Sequence, residues 1–321
     1  MKRIFTSLLA AIALLGIASP VSAQDYPTRP VKIMIAFPVG GLLDTVSRVV
    51  GEKLTGLLGQ QFVIEARPGA GGTLATAAVA KADPDGYTIM MINDNHSLNP
   101  SVFKNIPYDS VKDFAPIGFV GSTPLVFAAH PSVPVKDVKS LVALAREKPG
   151  TITYASVGVG SASHLAGEML GGVANVKLQH IPYRGGAPAL IDLLAGHVNT
   201  MFVSPVIGLQ NIQGGKLTGM ALAAEKRLEI LPNLPTMKEA GYPVDASYWF
   251  GLVAPAGTPP AVLSKLEKAL ADTLAMPDVR KRLTEMGAIV EPLNGKQFGD
   301  YIKSEMVKWA AIVEKAGVKP E

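Results

Sequence analysis

The feature that most constrains the fold is an alternation of short apolar, β-branched runs with segments of helical periodicity. Near the start of the chain, strand-like runs lie at Val31 to Phe37, Phe62 to Ala66 and Tyr87 to Ile92, separated by helix-like segments at Leu43 to Leu58 and Leu74 to Ala82. Strand–helix alternation of this kind predicts an α/β fold with mainly parallel sheets.

The helix-like segments carry their apolar residues on one face. In the first of them, apolar side chains recur at steps of three and four residues, at Leu43, Val46, Val50, Leu54 and Leu57. This spacing indicates a helix that buries one stripe against a sheet. We therefore interpret these residues as core.

A second series of strand–helix units starts near Pro124 and ends near Ala224. No low-complexity linker separates it from the first series, and 321 residues are enough for two domains. We expect one lobe formed by residues 24–123 and 225–321, and a second lobe formed by residues 124–224. The connection is then two or more strands that cross between lobes, with hinges near Gly121 and Ala223.

The N-terminus has the pattern of a secretory signal peptide. Lys2 and Arg3 precede an apolar run from Ile4 to Ile17, and small residues end at Ala23. The run is shorter than the roughly 20 residues that span a bilayer. We expect residues 1–23 to be removed and the mature protein to be soluble and exported, which in a Gram-negative host means the periplasm.

Composition excludes several classes of function. The chain has no cysteine, so disulfides, cysteine nucleophiles and thiolate metal sites are excluded. Its formal charge of +4 is spread along the chain without Lys/Arg clusters, so nucleic acid is not an expected partner. Neither a P-loop nor a complete G-x-G-x-x-G occurs, and no cofactor is expected.

Four glycine-rich loops each follow a strand-like run and open a helix. They are Phe37 to Asp44, Arg67 to Thr73, Ser156 to Ser163, and Tyr183 to Pro188. The free amides of a first helical turn carry partial positive charge and bind anions without a basic side chain. Any one such loop can equally be a plain turn, but four at the carboxyl ends of strands favour a ligand site.

Catalytic patterns do not assemble. The chain lacks G-x-S-x-G and H-E-x-x-H, and its five histidines show no metal-binding spacing. His164 lies close to Ser161 and Ser163, but such near neighbours at a helix start do not point at one another productively, so we expect capping and packing roles there. No catalytic residue and no metal site are predicted.

At these loops the sequence resembles a known family, the extracytoplasmic solute receptors of tripartite tricarboxylate transporters, often called Bug receptors. The resemblance runs from Tyr26 to the C-terminus. It rests on short motifs in a specific order, among them Tyr26-Pro27-Thr28-Arg29-Pro30, Phe37-Pro38-Val39-Gly40-Gly41, Arg67-Pro68-Gly69-Ala70-Gly71-Gly72, Pro84-Asp85-Gly86-Tyr87-Thr88, His180-Ile181-Pro182-Tyr183-Arg184-Gly185 and Ala254-Pro255-Ala256-Gly257-Thr258-Pro259.

The resemblance implies a two-lobed periplasmic-binding-protein fold whose cleft closes on a small carboxylate and delivers it to a membrane permease. It also implies that backbone amides and small hydroxyls hold the ligand. The residues that we expect to bind it are Phe37, Pro38, Gly40, Gly41, Leu42, Gly72, Thr73, Asn93, Asp94, Ser156, Gly158, Gly160, Ser161, Ser163, Tyr183 and Ser204. We expect no Arg or Lys in direct contact, with Arg184 as the one candidate exception.

The chain departs from the family pattern around the expected ligand. Val39 replaces a usual proline, Leu42 and Leu43 occupy positions that are often small or hydroxylated, and Val203 replaces a frequent Asp. An apolar pocket wall favours ligand carbon and disfavours an unpaired second carboxylate. We therefore expect a monocarboxylate with an apolar or aromatic body, bearing a donor group if Asp94 faces the cleft; the alternative is that both leucines pack under the loop and Asp94 is solvated.

Two further functions stay open from the sequence. One is an exported α/β hydrolase acting on a carboxylated substrate, which the lack of a nucleophile, base and orienting group disfavours. The other is a receptor recruited by a signalling protein, which would use the same cleft. The preferred hypothesis is a monomeric periplasmic receptor whose partners are a small carboxylate and a permease.

Overall fold

The computed structural model describes residues 26–316. Its strands are β1 (Val31–Ile35), β2 (Phe62–Ala66), β3 (Thr88–Asn93), β4 (Phe114–Ala129), β5 (Thr153–Ser156), β6 (Gln179–Pro182), β7 (Thr200–Val203), β8 (Thr218–Ala223), β9 (Ser247–Pro255) and β10 (Leu293–Asn294). Its helices are α1 (Leu42–Leu58), α2 (Thr73–Ala80), α3 (Asn95–Val102), α4 (Val138–Glu147), α5 (Ala162–Ala174), α6 (Gly186–Leu194), α7 (Pro205–Gln213), α8 (Pro260–Ala275), α9 (Pro277–Glu285) and α10 (Gly295–Ala316).

The strands form two groups that share β4. In the first sheet the order is β2-β1-β3-β9-β4, with β10 added to β4. In the second sheet the last part of β4, Leu125 to Ala129, pairs with both β7 and β8, and β5 lies between β7 and β6. The α/β class predicted from the sequence is confirmed.

The expectation of mainly parallel sheets is wrong. The β1–β2, β1–β3, β5–β6 and β5–β7 pairs are parallel, whereas β4 and β9 make antiparallel pairs with each other and with their other neighbours. The physical reason is that β4 runs from the first sheet into the second and β9 runs back beside it. Strands that cross in opposite senses must pair antiparallel, whatever the local α/β units do.

Apolar faces of the last helices cover the first sheet. Phe119 of β4 and Trp249 of β9 form an aromatic cluster with Phe298 and Tyr301 of α10, with ring centroids 5.0 to 6.4 Å apart. Glu305 of α10 is buried and accepts hydrogen bonds from the indole nitrogens of Trp249 and Trp309. The C-terminal helix α10 thus packs on the first sheet, and the division into lobes stays a prediction.

Local signals explain where individual helices begin and end. Gly59 ends α1 in a left-handed conformation with φ of 72°. Asp137 and Ser140 form a capping box at the start of α4, and Ser204 caps α7 ahead of Pro205. Helices α3 and α7 were not predicted from the sequence. Helix α3 was obscured because it is polar and contains Pro100.

The predicted signal peptide, residues 1–23, lies outside the described residues. Among the helices of residues 26–316, none is long and apolar enough to cross a bilayer.

Candidate functional site

A cavity lies where strand ends of the two sheets meet. From the first sheet and its helices it is lined by Phe37, Gly41, Leu42, Leu43, Asn93 and Tyr248. From the second it is lined by Val157, Gly186, Met201, Ser204 and Ile207. Most of these side chains are apolar, and neither Lys nor Arg is among the lining residues. The cavity therefore offers apolar walls with a few polar groups, as small-molecule sites do.

The loop between β1 and α1 contributes a helix start that lacks a side-chain cap. Gly41 is the N-cap residue and makes no side-chain cap hydrogen bond, because it has no side chain. The amides of Leu42 and Leu43, at the first two helical positions, have no acceptor inside the helix. Since both residues line the cavity together with Gly41, the positive end of α1 faces it.

Asp44 holds this loop in shape from behind. Its carboxylate is buried and accepts a hydrogen bond of 2.9 Å from the amide of Gly40, which has φ of 82°. Its other oxygen lies 2.9 Å from Nη2 of Arg48, one turn further along α1. The ion pair keeps the negative charge of Asp44 directed at Arg48 and the loop. Asp44 therefore buttresses the first glycine loop.

The second glycine loop, Arg67 to Thr73, packs on α3. Gly69, Ala70, Gly71 and Gly72 all have positive φ, and the Gly71 carbonyl accepts a hydrogen bond from Asn99 Nδ2. The Thr73 hydroxyl donates to the Ala70 carbonyl. Gly72 lies against Ala36 and Phe37. This loop therefore stands behind Phe37, and neither Gly72 nor Thr73 is among the cavity-lining residues.

In the loop from Ser156 to Ser163 and at the start of α5, nearby side chains accept hydrogen bonds from the backbone amides. Ser161 Oγ caps α5 by accepting from the His164 amide, and Ser163 Oγ accepts from the Val157 amide at 3.1 Å. The Gly158 amide donates to Ser156 Oγ, and the Gly160 amide donates to Nδ1 of His164 at 3.0 Å. Four amides near this helix start are thus engaged inside the protein.

A stack of aromatic rings supports that loop. The rings of His164 and His180 stack with centroids 4.0 Å apart, and His180 stacks on Tyr154 at 5.0 Å. His180 Nε2 lies 2.6 Å from Ser156 Oγ. Burial, with the neighbouring His164, lowers the pKa of His180 to about 3. The imidazole of His180 is therefore held as a neutral ring beneath the loop.

The Ser156–His180 pair bears on the hydrolase alternative. Sequence spacing gave no sign of it, because β5 and β6 bring the two side chains together by parallel pairing. However, Ser156 is fully buried, its Oγ donates to the Gly158 carbonyl, and it does not line the cavity. A histidine whose pKa lies near 3 is also a poor general base at neutral pH. The pair acts as a support of the loop.

The end of β3 places three polar side chains in the interior. Asn93 Nδ2 donates to Asp94 Oδ1 and to Asn95 Oδ1, both at 3.1 Å. Asp94 is fully buried and lies near the Ala162 amide at the start of α5, and burial together with the Glu305 carboxylate raises its pKa well above the usual value. The neutral carboxyl is thereby favoured. The alternative in which Asp94 is solvated is wrong, since tertiary packing covers its side chain.

Tyr248 brings a hydroxyl to the cavity wall. It lies on β9 opposite Thr123, next to the point where β4 passes from the first sheet to the second. Its side chain is buried, and its Oη lies near the hydroxyl and amide of Ser163 without a hydrogen bond of good geometry to any described residue. Burial and the nearby Asp94 raise the pKa of this phenol, so it is protonated. A buried hydroxyl without a partner costs about 1–3 kcal/mol, unless a ligand or water satisfies it.

Two further helix starts meet the cavity from the second sheet. Ser204 lines it and caps α7 through the Val206 amide. Gly186 begins α6 and lines it, and a β-carbon on Gly185 would lie 2.6 Å from Cδ of Pro38. The Tyr183 hydroxyl donates to Asp192 and is absent from the lining, and Arg184 is exposed. The first and fourth glycine loops therefore touch across the cavity mouth.

Five of the expected ligand-binding residues line the cavity, namely Phe37, Gly41, Leu42, Asn93 and Ser204. The others lie around it, in the loops or behind the walls: Pro38, Gly40, Gly72, Thr73, Asp94, Ser156, Gly158, Gly160, Ser161, Ser163 and Tyr183. Their role in binding stays a prediction. Leu43, expected at the apolar wall, also lines the cavity, whereas sequence reasoning missed Val157, Gly186, Met201, Ile207 and Tyr248 as lining residues. Only the tyrosine hydroxyl offered a signal, because a strand tyrosine usually seeks a partner.

Within the described residues, no group of three or more His, Asp or Glu side chains is arranged to hold a metal ion. Together with the apolar walls, this leaves the α1 amides, Asn93, Ser204 and Tyr248 as the groups that can contact a ligand. Such a set binds and orients a small molecule.

Comparison with known proteins gives a consistent result. A family model described as "Tripartite tricarboxylate transporter family receptor" matches residues 46–318. Protein BugT of Bordetella pertussis is 34% identical over 322 residues, which covers 99% of both chains.

Solved structures agree with this match and confirm the periplasmic-binding-protein fold predicted from the sequence. The periplasmic binding protein BugD has a TM-score of 0.89 and 38% identity, and the match covers 92% of this chain and 100% of BugD. The Rpa4515 protein of R. palustris, solved with adipate, has a TM-score of 0.90 and 30% identity, with coverage of 92% and 100%.

Proposed function

Since the chain belongs to the family of tripartite tricarboxylate transporter receptors, we propose that it captures a small organic carboxylate in the periplasm and delivers it to a transporter permease. The observation that carries this proposal is the uncapped start of α1. There Gly41, Leu42 and Leu43 line a cavity, and the amides of the first helical turn need an acceptor. A carboxylate supplies that acceptor and gains from the helix dipole.

The walls of the cavity support a ligand with an apolar body. Phe37, Leu42, Leu43, Met201 and Ile207 line it, and burying ligand carbon against them contributes about 25 cal/mol per Å². A second carboxylate against these walls would lose its hydration without a cationic partner. One neighbour is described with adipate, a diacid. For this chain the ligand is instead a monocarboxylate whose body is apolar or aromatic.

Capture by cleft closure is part of the proposal. Strands β4 and β9 connect the two sheets, and their register shifts between Phe119 and Gly121. Gly121 has φ of 159°, and a β-carbon there would lie 2.3 Å from the Ile289 carbonyl oxygen. These features support a hinge near Gly121 and lobes formed by residues 24–123 with 225–321 and by residues 124–224.

A thermal-shift screen of the mature protein tests the proposal. Monocarboxylates, dicarboxylates, aromatic acids and amino acids are added singly, and a ligand at one hundred times its Kd adds about 2.7 kcal/mol of stability. We expect at least one monocarboxylate to stabilise the protein and to be recovered chemically unchanged. Turnover of that compound would contradict the receptor function in favour of a hydrolase.

Scattering and uptake measurements test closure and delivery. We expect the radius of gyration to fall when the ligand saturates the protein. Vesicles that carry the cognate permease should take up the ligand only when the receptor is present. An unchanged radius, or uptake without the receptor, would contradict the corresponding part of the proposal.

A further inference from the structure

Two polar side chains of the first sheet share one face and one cavity. Asn93 of β3 lies opposite Phe250 of β9, and Tyr248 is two residues before Phe250 on the same strand. Side chains in this diagonal relation lie on one face of a sheet, with α-carbons roughly 7–8 Å apart. Both line the cavity that contains the start of α1.

The hydrogen bonds of Asn93 determine which of its atoms is free. Its amide nitrogen has two hydrogens, and both are used, on Asp94 and on Asn95. The carbonyl oxygen of Asn93 accepts no hydrogen bond from any other described residue. A side chain held in this way presents a fixed acceptor.

Tyr248 presents the second free group. Its hydroxyl is buried and lines the cavity wall, and it lies near the hydroxyl and amide of Ser163 without a hydrogen bond of good geometry to any described residue. A phenol can donate or accept. The pair therefore offers one acceptor and one hydroxyl to whatever enters the cavity.

The charges behind this pair disfavour an anion. Asp94 is next to Asn93 in the chain and close enough to raise the pKa of Tyr248, and Glu305 lies behind Asp94. Lys308 lies 3.2 Å from Glu305 and partly balances that charge, but its side chain is half exposed and does not line the cavity. A carboxylate at Asn93 would meet the amide oxygen of Asn93 and the charge of Glu305 behind a neutral Asp94, with no cationic side chain in the cavity lining.

We infer that Asn93 and Tyr248 form a ligand subsite that accepts a hydrogen-bond donor, such as a hydroxyl, primary amide or ammonium group, and rejects a second carboxylate. This inference rests on the proposed function, since the start of α1 takes the carboxylate. It identifies the ligand class as monocarboxylates that carry a donor group. It also assigns a role in ligand specificity to Tyr248, which no sequence motif indicated.

Matched probe acids test the inference by calorimetry on the mature protein. One series is butanoate, succinate and the monoamide of succinate, and the other is benzoate, isophthalate and the monoamide of isophthalate. In at least one series we expect the monoamide to bind tenfold or more tighter than the diacid of the same size. Equal binding of monoamide and diacid, or tighter binding of the diacid, would overturn the inference and leave the receptor function standing.

The Tyr248→Phe variant tests the hydroxyl itself. We expect binding of the monoamide to weaken three- to tenfold while binding of butanoate or benzoate changes less than twofold. Since the lost hydroxyl has no partner in the ligand-free protein, the variant should melt no lower than the wild type. The control is Tyr301→Phe, which removes a tyrosine hydroxyl from α10 outside the cavity and should leave all probe affinities unchanged.

The outcomes separate the two proposals. Binding of the probes with unaltered monoamide affinity in Tyr248→Phe overturns the subsite alone. Absence of binding for every acid in both series overturns the subsite together with the carboxylate receptor on which it rests.

Discussion

The starts of α1 and α5 look alike in sequence and differ in chemistry. Both follow a strand and a glycine loop, and both were expected to hold a carboxylate through their amides. At α1 the N-cap is Gly41 and the first amides face the cavity without a side-chain acceptor. At α5 the hydroxyls of Ser161 and Ser163 and the imidazole of His164 accept from the loop amides.

The difference teaches what a glycine loop can and cannot indicate. Glycine lets the backbone approach a ligand, but amides stay available only where neighbouring side chains do not satisfy them first. The α1 loop continues into two leucines, which have no acceptor atoms. The α5 loop continues into serines and a histidine, which do. Glycine spacing predicts helix starts at both places, and the following residues decide which one can bind an anion.

The strongest test gives α1 the side-chain cap that it lacks. Gly41 has φ of −84° and ψ of −179°, an N-cap conformation that aspartate adopts readily. In Gly41→Asp the new carboxylate accepts hydrogen bonds from the amides at the start of α1 and so competes with the ligand. We expect ligand affinity to fall by about 100-fold, or roughly 2.7 kcal/mol, by calorimetry. The melting temperature should stay level or rise.

The matched control at this position is Gly41→Ala, which adds a β-carbon without an acceptor. A β-carbon there lies 3.3 Å from the Pro38 carbonyl oxygen, so a small loss of affinity is expected. If alanine and aspartate weaken binding equally, steric bulk explains the effect and the comparison of free and engaged amides fails.

A second test concerns the contact between the α5 loop and α3. Gly160 has φ of 75°, and a β-carbon there would lie 2.6 Å from Val102. In Gly160→Ala the clash pushes the loop away from the first sheet, and we expect about tenfold weaker ligand binding, or 1.4 kcal/mol.

Gly59→Ala is the control for backbone strain. Gly59 also has left-handed φ, of 72°, but no atom lies within 4 Å of a β-carbon there. It should lose roughly 1 kcal/mol of stability from strain and keep its affinity. An equal loss of affinity in both variants would show that the Val102 contact has no part in binding.

A third test removes the cap of α5. Ser161→Ala should lower the free energy of unfolding by about 1 kcal/mol in urea denaturation, because the cap is lost. Ligand affinity should change less than threefold, since these amides are engaged inside the protein. A much larger loss of affinity with unchanged stability would assign Ser161 to the ligand after all.

The smallest expected effect is on stability at acidic pH, and it arises from His180, which supports the α5 loop. Burial lowers the folded-state pKa of His180 to about 3, below the ordinary histidine value of 6.5. Below about pH 6.5 the unfolded chain therefore binds more protons, so the contribution of His180 to stability is present above pH 6.5 and lost as the pH falls. His180 is partly exposed, so we expect only about 1 kcal/mol between pH 6.5 and 5.

Urea denaturation at several pH values checks this, with His180→Asn compared with the wild type. The asparagine variant should lose less stability on acidification than the wild type does. His197→Asn, at a surface position, is the control and should follow the wild type. Identical acid profiles for His180→Asn and the wild type would contradict the role of the ring stack.

Much of the fold could be predicted from hydrophobic periodicity. The strand at Phe62–Ala66 has the predicted bounds, and α1 begins at Leu42, one residue before the predicted start, and ends at Leu58 as predicted. The family and the binding-protein fold could be identified from short motifs whose residues are required by local turns. The antiparallel crossing of β4 and β9 could not be predicted, because it depends on which strands connect the two sheets.

The features of the site divide in the same way, into those that depend on local sequence and those that depend on tertiary packing. The sequence by itself determined the glycine loops, the helix starts and the buttressing of the first loop by Asp44, because these depend on residues within a few positions of one another. Tertiary structure alone decided that Tyr248 and Ile207 reach the cavity, that Ser156 meets His180, and that Asp94 is buried. The physical reason is that free or engaged amides, cavity walls and shifted pKa values all depend on neighbours that are distant in the chain and are brought close only by packing.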